Sequence, residues 1–312
     1  MTAPLTCIYV TDRTFLACTC FSVRTLIVNA TIPLTVHILH TGIDREAIAE
    51  AEGYLRPAIG TGTEVVFTEM PPAEFSGLPK PQSLPSSSYG RLLVHKILPD
   101  LEGRVLYLDG DTLVDLDVAP LAVFDLDGAA VGAVVDVGRI LAGRREEAQR
   151  RLGLGSDGDY FNSGVLLIDW EKWRELEIGE RCLSALMETP ARFIQGDQCA
   201  LNLMCHQQWA KLDPAWNYQP ADVLFDDRDR AIFHFLGGRK PWVPGHLRHP
   251  ARFVLRYREM YQSSPWADAY HFGPGGFYLC ASGARDIVRA GKDVLSRRYW
   301  RNKKRYELFR SR

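Results

Sequence analysis

The sequence predicts an α/β fold with a mainly parallel central sheet flanked by helices. Three observations lead there. Short β-branched runs alternate with helix-like segments, the pattern of strand–helix–strand units. One of those runs, Arg104–Leu108, is nearly all apolar, as a strand buried on both faces must be. Apolar and charged residues make up 46% and 24% of the chain, the balance of an ordinary globular protein large enough to bury a core.

The elements follow in order. Leu5–Val10 reads as a strand ending at Asp12, and a helix-like stretch runs from Phe15 to Asn29. Leu34–Leu39 is a second strand, leading through Thr41-Gly42 to a helix over Arg45–Leu55; Glu64–Thr68 is a third. Pro71 to Ser88, rich in Pro and Ser, reads as a loop, with Ser87 or Ser88 capping a helix over Tyr89–Leu98 that Pro99 helps to stop. After Arg104–Leu108 come strand candidates at Ala129–Val137 and Gly164–Ile168, helices over Glu171–Met187 and Gln195–Cys205, and a late strand at Ala231–Phe235. No internal repeat is visible.

The net charge of −1 predicts no nucleic-acid partner, yet the charge is uneven. From Arg285 to Arg312 eleven Lys/Arg face three Asp/Glu, so the tail carries +8 and the rest −9. In this helix-like tail Val288, Leu295, Tyr299, Tyr306 and Phe309 share one side among basic residues. Such a helix either lies on an anionic membrane or docks on the domain with a solvated basic face. The organisation expected is one domain over 1–283 and a basic amphipathic tail over 284–312.

Seven cysteines with no CxxC pair or zinc spacing read as reduced thiols. No basic n-region precedes an apolar run at the start, and no stretch of about 18 apolar residues occurs, so a cytoplasmic protein is expected, peripheral on the inner membrane face if the tail binds there. The sequon at Asn29 reads as chance.

Asp-x-Asp occurs five times: at Asp109/Asp111, Asp115/Asp117, Asp125/Asp127, Asp157/Asp159 and Asp227/Asp229. Only Asp109-Gly110-Asp111 directly follows a long apolar run, Val105–Leu108, which puts it at the carboxyl end of a central strand, where open α/β sheets bind ligands. Two carboxylates flanking a flexible glycine can converge on one hard divalent cation. The run through Val114 also approaches the Asp-x-Asp signature of haloacid-dehalogenase-type phosphatases. Three strand units precede it, however, and no clearly placed lysine and later acidic pair complete that set.

Four motifs occur in order: Val-Leu-Tyr-Leu-Asp-Gly-Asp (105–111), Tyr-Phe-Asn-Ser-Gly-Val-Leu-Leu-Ile-Asp (160–169), Gly-Asp-Gln (196–198), and His-Phe-Leu-Gly-Gly-Arg-Lys-Pro-Trp (234–242). Together they resemble the family-8 retaining glycosyltransferases, which include bacterial lipopolysaccharide galactosyl- and glucosyltransferases and glycogenin. The resemblance covers roughly Leu5 to Trp242 and implies a GT-A fold.

It also implies roles. Asp109, Asp111 and His234 would hold Mn²⁺ (or Mg²⁺) with the nucleotide diphosphate; two carboxylates and an imidazole suit Mn²⁺ better than Mg²⁺. A lone buried histidine is more often a satisfied core residue, but the following Gly237 and Lys240 change that reading for His234. Lys240 matches a lysine on the diphosphate, and Gly237 admits close backbone approach. Asp12 matches the uracil-binding acid, although Arg13 departs from the usual pattern. Arg91 matches a sugar and phosphate contact, the alternative being a helix-surface arginine. Asn162, Asp197 and Gln198 match donor-sugar contacts, with Gln198 at the position of the family's debated nucleophile. Gly196 replaces the commoner Gln. Asp136 resembles a residue near the acceptor, or is a surface-loop carboxylate.

The activity implied is transfer of a hexose, galactose or glucose, from a UDP-sugar to a carbohydrate or lipid-linked acceptor with retention. A nucleotide-sugar-binding protein without turnover is the non-enzymatic alternative. Gly153–Gly158 fits GxGxxG but follows a charged helix-like stretch rather than a strand, so it lacks the context of a dinucleotide site. There is no P-loop and no GxSxG elbow. The aromatics from Trp209 to Tyr218 could shape an acceptor site, but read by default as core.

Overall fold

The computed structural model describes residues 4–79, 86–137, 145–154, 159–206, 208–219, 230–237, 240–243, 249 and 251–269. The strands are β1 (Leu5–Asp12), β2 (Leu34–Thr41), β3 (Glu64–Glu69), β4 (Arg104–Leu108), β5 (Thr112–Val114), β6 (Val131–Val135), β7 (Phe161–Asp169), β8 (Trp209–Lys211) and β9 (Ile232–His234). The helices are α1 (Leu16–Asn29), α2 (Arg45–Leu55), α3 (Gly90–Ile97), α4 (Ala119–Ala122), α5 (Arg145–Leu152), α6 (Trp170–Glu175), α7 (Ile178–Glu188), α8 (Asp197–Met204) and α9 (Ala251–Gln262).

The described residues fall into two compact units: those within 4–136, 145–218 and 230–233, and those within 137, 219 and 234–269. The first is built on a seven-stranded sheet in the order β3-β2-β1-β4-β7-β6-β8. Its pairings are parallel except at β7, which runs antiparallel to both β4 and β6. The sheet is mostly parallel, as expected, with one reversed strand. The central strands are buried on both faces: Cys7, Ile8, Tyr9, Val105, Leu106 and Leu108 have almost no exposure. Each such aliphatic side chain contributes roughly 1.5–3 kcal/mol through burial.

Helix α1 buries Thr19, Ser22 and Thr25 for a specific reason. The Ser22 hydroxyl bridges Tyr9 Oη (3.1 Å) and Thr112 Oγ1 (2.6 Å), the Val114 N–H donates to Thr25 Oγ1 (3.1 Å), and Asn29 Nδ2 donates to the Val114 carbonyl (3.0 Å). Side chains of α1 thus satisfy the backbone of β5, whose ladder partner is β9. A three-residue strand held by tertiary contacts leaves no periodic trace, and β5 and β8 were not predicted.

Two local expectations are corrected. The predicted helix over Glu171–Met187 is two helices, α6 and α7, broken at Glu177 in the left-handed region (φ 51°). The break turns both Trp170/Trp173 and Ile178/Cys182/Leu186 into the core, which one continuous helix would place on different faces. Neither Ser87 nor Ser88 caps α3: its N-cap is Tyr89, with no side-chain bond, and the Ser87 hydroxyl donates to Asp12 Oδ2 (3.1 Å).

The second unit has an aromatic core of its own. Phe235 meets His249, Phe253 and Tyr257 edge-on with ring centroids 5.0–5.6 Å apart, and Trp242 packs on Tyr257 at 4.6 Å. The spacing of Phe253 and Tyr257 gives α9 its buried stripe. The basic tail lies outside the described residues.

Candidate active site

Strand β4 ends by delivering Asp109 to the sheet's carboxyl edge. The Asp109 N–H donates to the Gly164 carbonyl (2.8 Å), and Thr112 closes the turn by donating its N–H (3.2 Å) and hydroxyl (2.9 Å) to the Asp109 carbonyl. Gly110 is needed for room, not flexibility: a Cβ there would lie 2.3 Å from Thr19 Oγ1 of α1. Beyond the turn, β5 pairs with β9, whose last residue is His234. One ligand atom from each of Asp109, Asp111 and His234 lies within 4.8 Å of the other two. Two carboxylate oxygens and an imidazole nitrogen so gathered suit a divalent cation.

The other Asp-x-Asp pairs do structural work where they are described. Asp117 accepts from Thr31 and the Ala119 N–H, and Asp125 accepts the Asp127 N–H in a turn where Asp127 has φ 49°. Asp159 pairs with Lys211. Asp157, Asp227 and Asp229 lie outside the described residues.

Arg91 organises the rest. It is 8% exposed, so the helix-surface alternative is overturned. Its guanidinium contacts Asp109 Oδ1 (2.9 Å) and Asp197 Oδ2 (2.7 Å), donates to the Ser163 carbonyl (2.6 Å) and hydroxyl (3.1 Å), and lies 4.7 Å from the Tyr107 ring centroid. Tyr107 Oη donates to the same Asp109 oxygen at 2.9 Å. Burial works against the arginine's charge, but Asp109 and Asp197 outweigh it and hold the guanidinium protonated. Burial also pushes the Asp197 carboxyl up to about 6; the Asp109 charge adds to this, while Arg91 opposes it.

Asp197 and Gln198 open α8, after Gly196 at φ 51°. Asn202, one turn on, fixes that helix to β7 by accepting the Phe161 N–H (2.7 Å) and donating to the Phe161 carbonyl (2.9 Å). Strand β7 is irregular there: Ala133 pairs with Leu166 but Val134 with Asn162. The chain between swells out of the ladder, as bulges beside functional sites do, and presents Asn162 and Ser163 to Gln198. Gln198 Oε1 accepts from Asn162 Nδ2 and the Ser163 N–H, both 3.2 Å, while its Nε2 donates to Asp136 Oδ2 (2.9 Å) and Tyr160 Oη (3.3 Å). Asp136, 6% exposed, is a buried partner of Gln198 and not a surface-loop carboxylate.

The remaining predicted residues have separate settings. Asp12 ends β1, where its Oδ1 accepts the N–H groups of Thr14 and Phe15 and its Oδ2 the Ser87 hydroxyl. In the second unit, Gly237 is exposed with φ 74°, a conformation glycine adopts without strain. Lys240 donates to the Phe235 carbonyl (2.5 Å), its ammonium 5.9 Å from the Trp242 ring centroid. Sequence reasoning missed Tyr107, Ser163, Tyr160 and Asn217. Tyr107 was accessible, since it shares a strand face with Asp109 two residues away; the others depend on how β7 folds back.

A mostly parallel sheet thus ends its fourth strand in two carboxylates that converge with a histidine, beside a buried arginine. The chain belongs to glycosyl transferase family 8, whose family model matches residues 6–244. It is 30% identical over 209 residues to general stress protein A of Bacillus subtilis, covering 61% of this chain and 71% of that protein. It is also 30% identical over 207 residues to the lipopolysaccharide 1,2-glucosyltransferase of Escherichia coli, covering 61% of this chain but only 58% of that protein. Among solved structures, galactosyltransferase LgtC in complex with donor and acceptor sugar analogs superposes with a TM-score of 0.71 at 26% identity, over 84% of this chain and 96% of that one. Mouse xyloside xylosyltransferase 1 shares the fold at 19% identity and a TM-score of 0.53.

Proposed function

We propose that this protein transfers a hexose, galactose or glucose, from a UDP-sugar to a hydroxyl of a lipopolysaccharide-type or other glycan, with retention at the anomeric carbon. The observation that carries this reading is the convergence of Asp109, Asp111 and His234 at the end of β4 in a family-8 chain. The names of the Escherichia coli glucosyltransferase and of LgtC support the choice of hexose and acceptor class.

When bound, Mn²⁺ (Mg²⁺ in its place) held by these three residues would offset charge on the departing diphosphate. Lys240 adds positive charge for that group, Gly237 admits its close approach, and Asp12 orients the uracil. Arg91 spans the metal-binding and sugar-binding carboxylates, so it fixes their spacing around the bound donor. Asp197, Asn162 and Gln198 hydrogen-bond the sugar. Gln198 Oε1 already accepts two N–H bonds and belongs to an amide, a poor nucleophile. That favours front-side attack, in which the leaving phosphate oxygen takes the acceptor proton.

Incubation with UDP-galactose or UDP-glucose and Mn²⁺ should release UDP slowly, faster with an acceptor, and Asp111→Ala should abolish release. A nucleotide-sugar-binding protein would instead gain thermal stability with UDP-sugar and turn nothing over. Release of phosphate from phosphomonoesters would revive the phosphatase alternative.

We also propose that residues 284–312 form a separate basic segment that contacts an anionic membrane peripherally, the site at 1–283 then acting on a lipid-linked acceptor at the cytoplasmic face. No helix among the described residues is long and apolar enough to cross a membrane.

A further inference from the structure

We infer that Asn217 is a positioning residue for the donor-sugar site, acting through a relay of three side-chain amides that ends on Asp136. The inference rests on the sugar-binding role proposed above for Asn162 and Gln198. The relay runs from Asn217 Nδ2 to Asn162 Oδ1 (2.9 Å), from Asn162 Nδ2 to Gln198 Oε1 (3.2 Å), and from Gln198 Nε2 to Asp136 Oδ2 (2.9 Å).

An amide can be turned over with little change in shape, so its direction needs an anchor of fixed polarity. Here two backbone donors supply it. The Gly164 N–H points at Asn162 Oδ1 (3.0 Å) and the Ser163 N–H at Gln198 Oε1 (3.2 Å). The carboxylate of Asp136 requires a donor at the far end, and Gln198 Nε2 is that donor. Every member therefore points one way, and a reversed Asn217 would set two acceptors against each other. Asn217 is 1% exposed and acts only through its neighbours, whereas Gln198, further along the relay, is half-buried.

Asn217 is itself held firmly. It closes the short helical turn Pro214–Asn217, which Asp213 caps by accepting the Ala215 N–H (2.8 Å), and the next residue, Tyr218, donates its N–H to the Ile232 carbonyl of β9 (2.8 Å). The strand that ends in His234 thus also anchors the start of the relay.

A packing role and a polarity role predict opposite rankings. Asn217→Asp keeps the shape but replaces the donor with an acceptor facing Asn162 Oδ1; Asn217→Ala removes volume but leaves the Gly164 N–H on that oxygen. The test measures Mn²⁺-dependent turnover of UDP-galactose and UDP-glucose, affinity for UDP alone, and melting temperature. Expected are a turnover loss of about tenfold or more in Asn217→Asp, a smaller loss in Asn217→Ala, and UDP affinity within about twofold of wild type in both. A greater loss in Asn217→Ala, wild-type turnover in both, or a parallel fall of UDP affinity and turnover would overturn the inference. If Asn217→Asp does not fold, the Asn217→Ala split between turnover and UDP affinity decides alone. A wild type that ignores both UDP-sugars refutes the proposed function instead. The relay is then read from the Gln198 side-chain amide resonances, which must shift in Asn217→Ala; unshifted resonances refute it.

Discussion

Replacing Gly110 by alanine should disable the metal-binding turn without touching a single ligand. The added methyl would lie 2.3 Å from Thr19 Oγ1, about 1 Å short of ordinary van der Waals contact. Thr19 cannot swing away freely, because it is fully buried in α1 and its hydroxyl donates to Thr11 Oγ1 (2.9 Å). Either α1 or the Asp109–Asp111 turn must therefore move by a sizeable part of an ångström. Overpacking of this kind costs about 1–3 kcal/mol, and a displacement near 1 Å at a reacting group costs about 100-fold in rate. Thr19→Ala should relieve the clash, since the nearest remaining contacts would be the residue-19 Cβ at 3.3 Å and Phe15 Cδ1 at 3.4 Å. Measured by UDP release and thermal melting, Gly110→Ala should lose about two orders of magnitude and several degrees, and Gly110→Ala/Thr19→Ala should regain most of the activity. The reasoning fails if Gly110→Ala works like wild type, or if the second substitution restores nothing.

Three further outcomes are expected. Arg91→Met leaves Asp109 and Asp197 without their shared cation and should cost about 3–5 kcal/mol, read as a fall in melting temperature; Arg91→Lys, with no planar fork to span both carboxylates, should lose most turnover as well. Turnover at saturating Mn²⁺ should fall as pH drops through about 6, where Asp197 becomes neutral and its ion pair with Arg91 is lost, and that limb should vanish in Asp197→Asn. The stability sign is opposite: with its folded pKa raised above 3.8, Asp197 adds stability that grows as pH falls through about 6 and is lost as pH rises, so melting between pH 7 and 5.5 should not weaken on its account. Deleting 284–312 should abolish co-sedimentation with anionic vesicles while UDP release persists; vesicle binding unchanged by the deletion contradicts the tail assignment.

What could be read from the sequence was whatever local patterning decides. Helix α2 and strand β4 have the predicted bounds, the first because its apolar spacing is regular and Asp44 caps it, the second because double-sided burial demands an unbroken apolar run. Strand position also singled out Asp109 and Asp111, and the ligand atoms of His234 do gather with theirs. Lost were features that depend on distant chain. Strand β5 exists because α1 and β9 satisfy its backbone, and the break at Glu177 occurs at a residue with no special liking for the left-handed region. The environment of Arg91 was illegible for the same reason: Ser163 reaches it only because β7 returns antiparallel and bulges.

The ion pairing of Arg91 has a consequence for the order of events. Its guanidinium is shared by Asp109 and Asp197, while Asp111 adds a further carboxylate to the cluster. A bare diphosphate approaching these carboxylates would be repelled, whereas a divalent cation would be drawn to them. A cation bound there first would therefore lower the charge barrier that a nucleotide diphosphate meets.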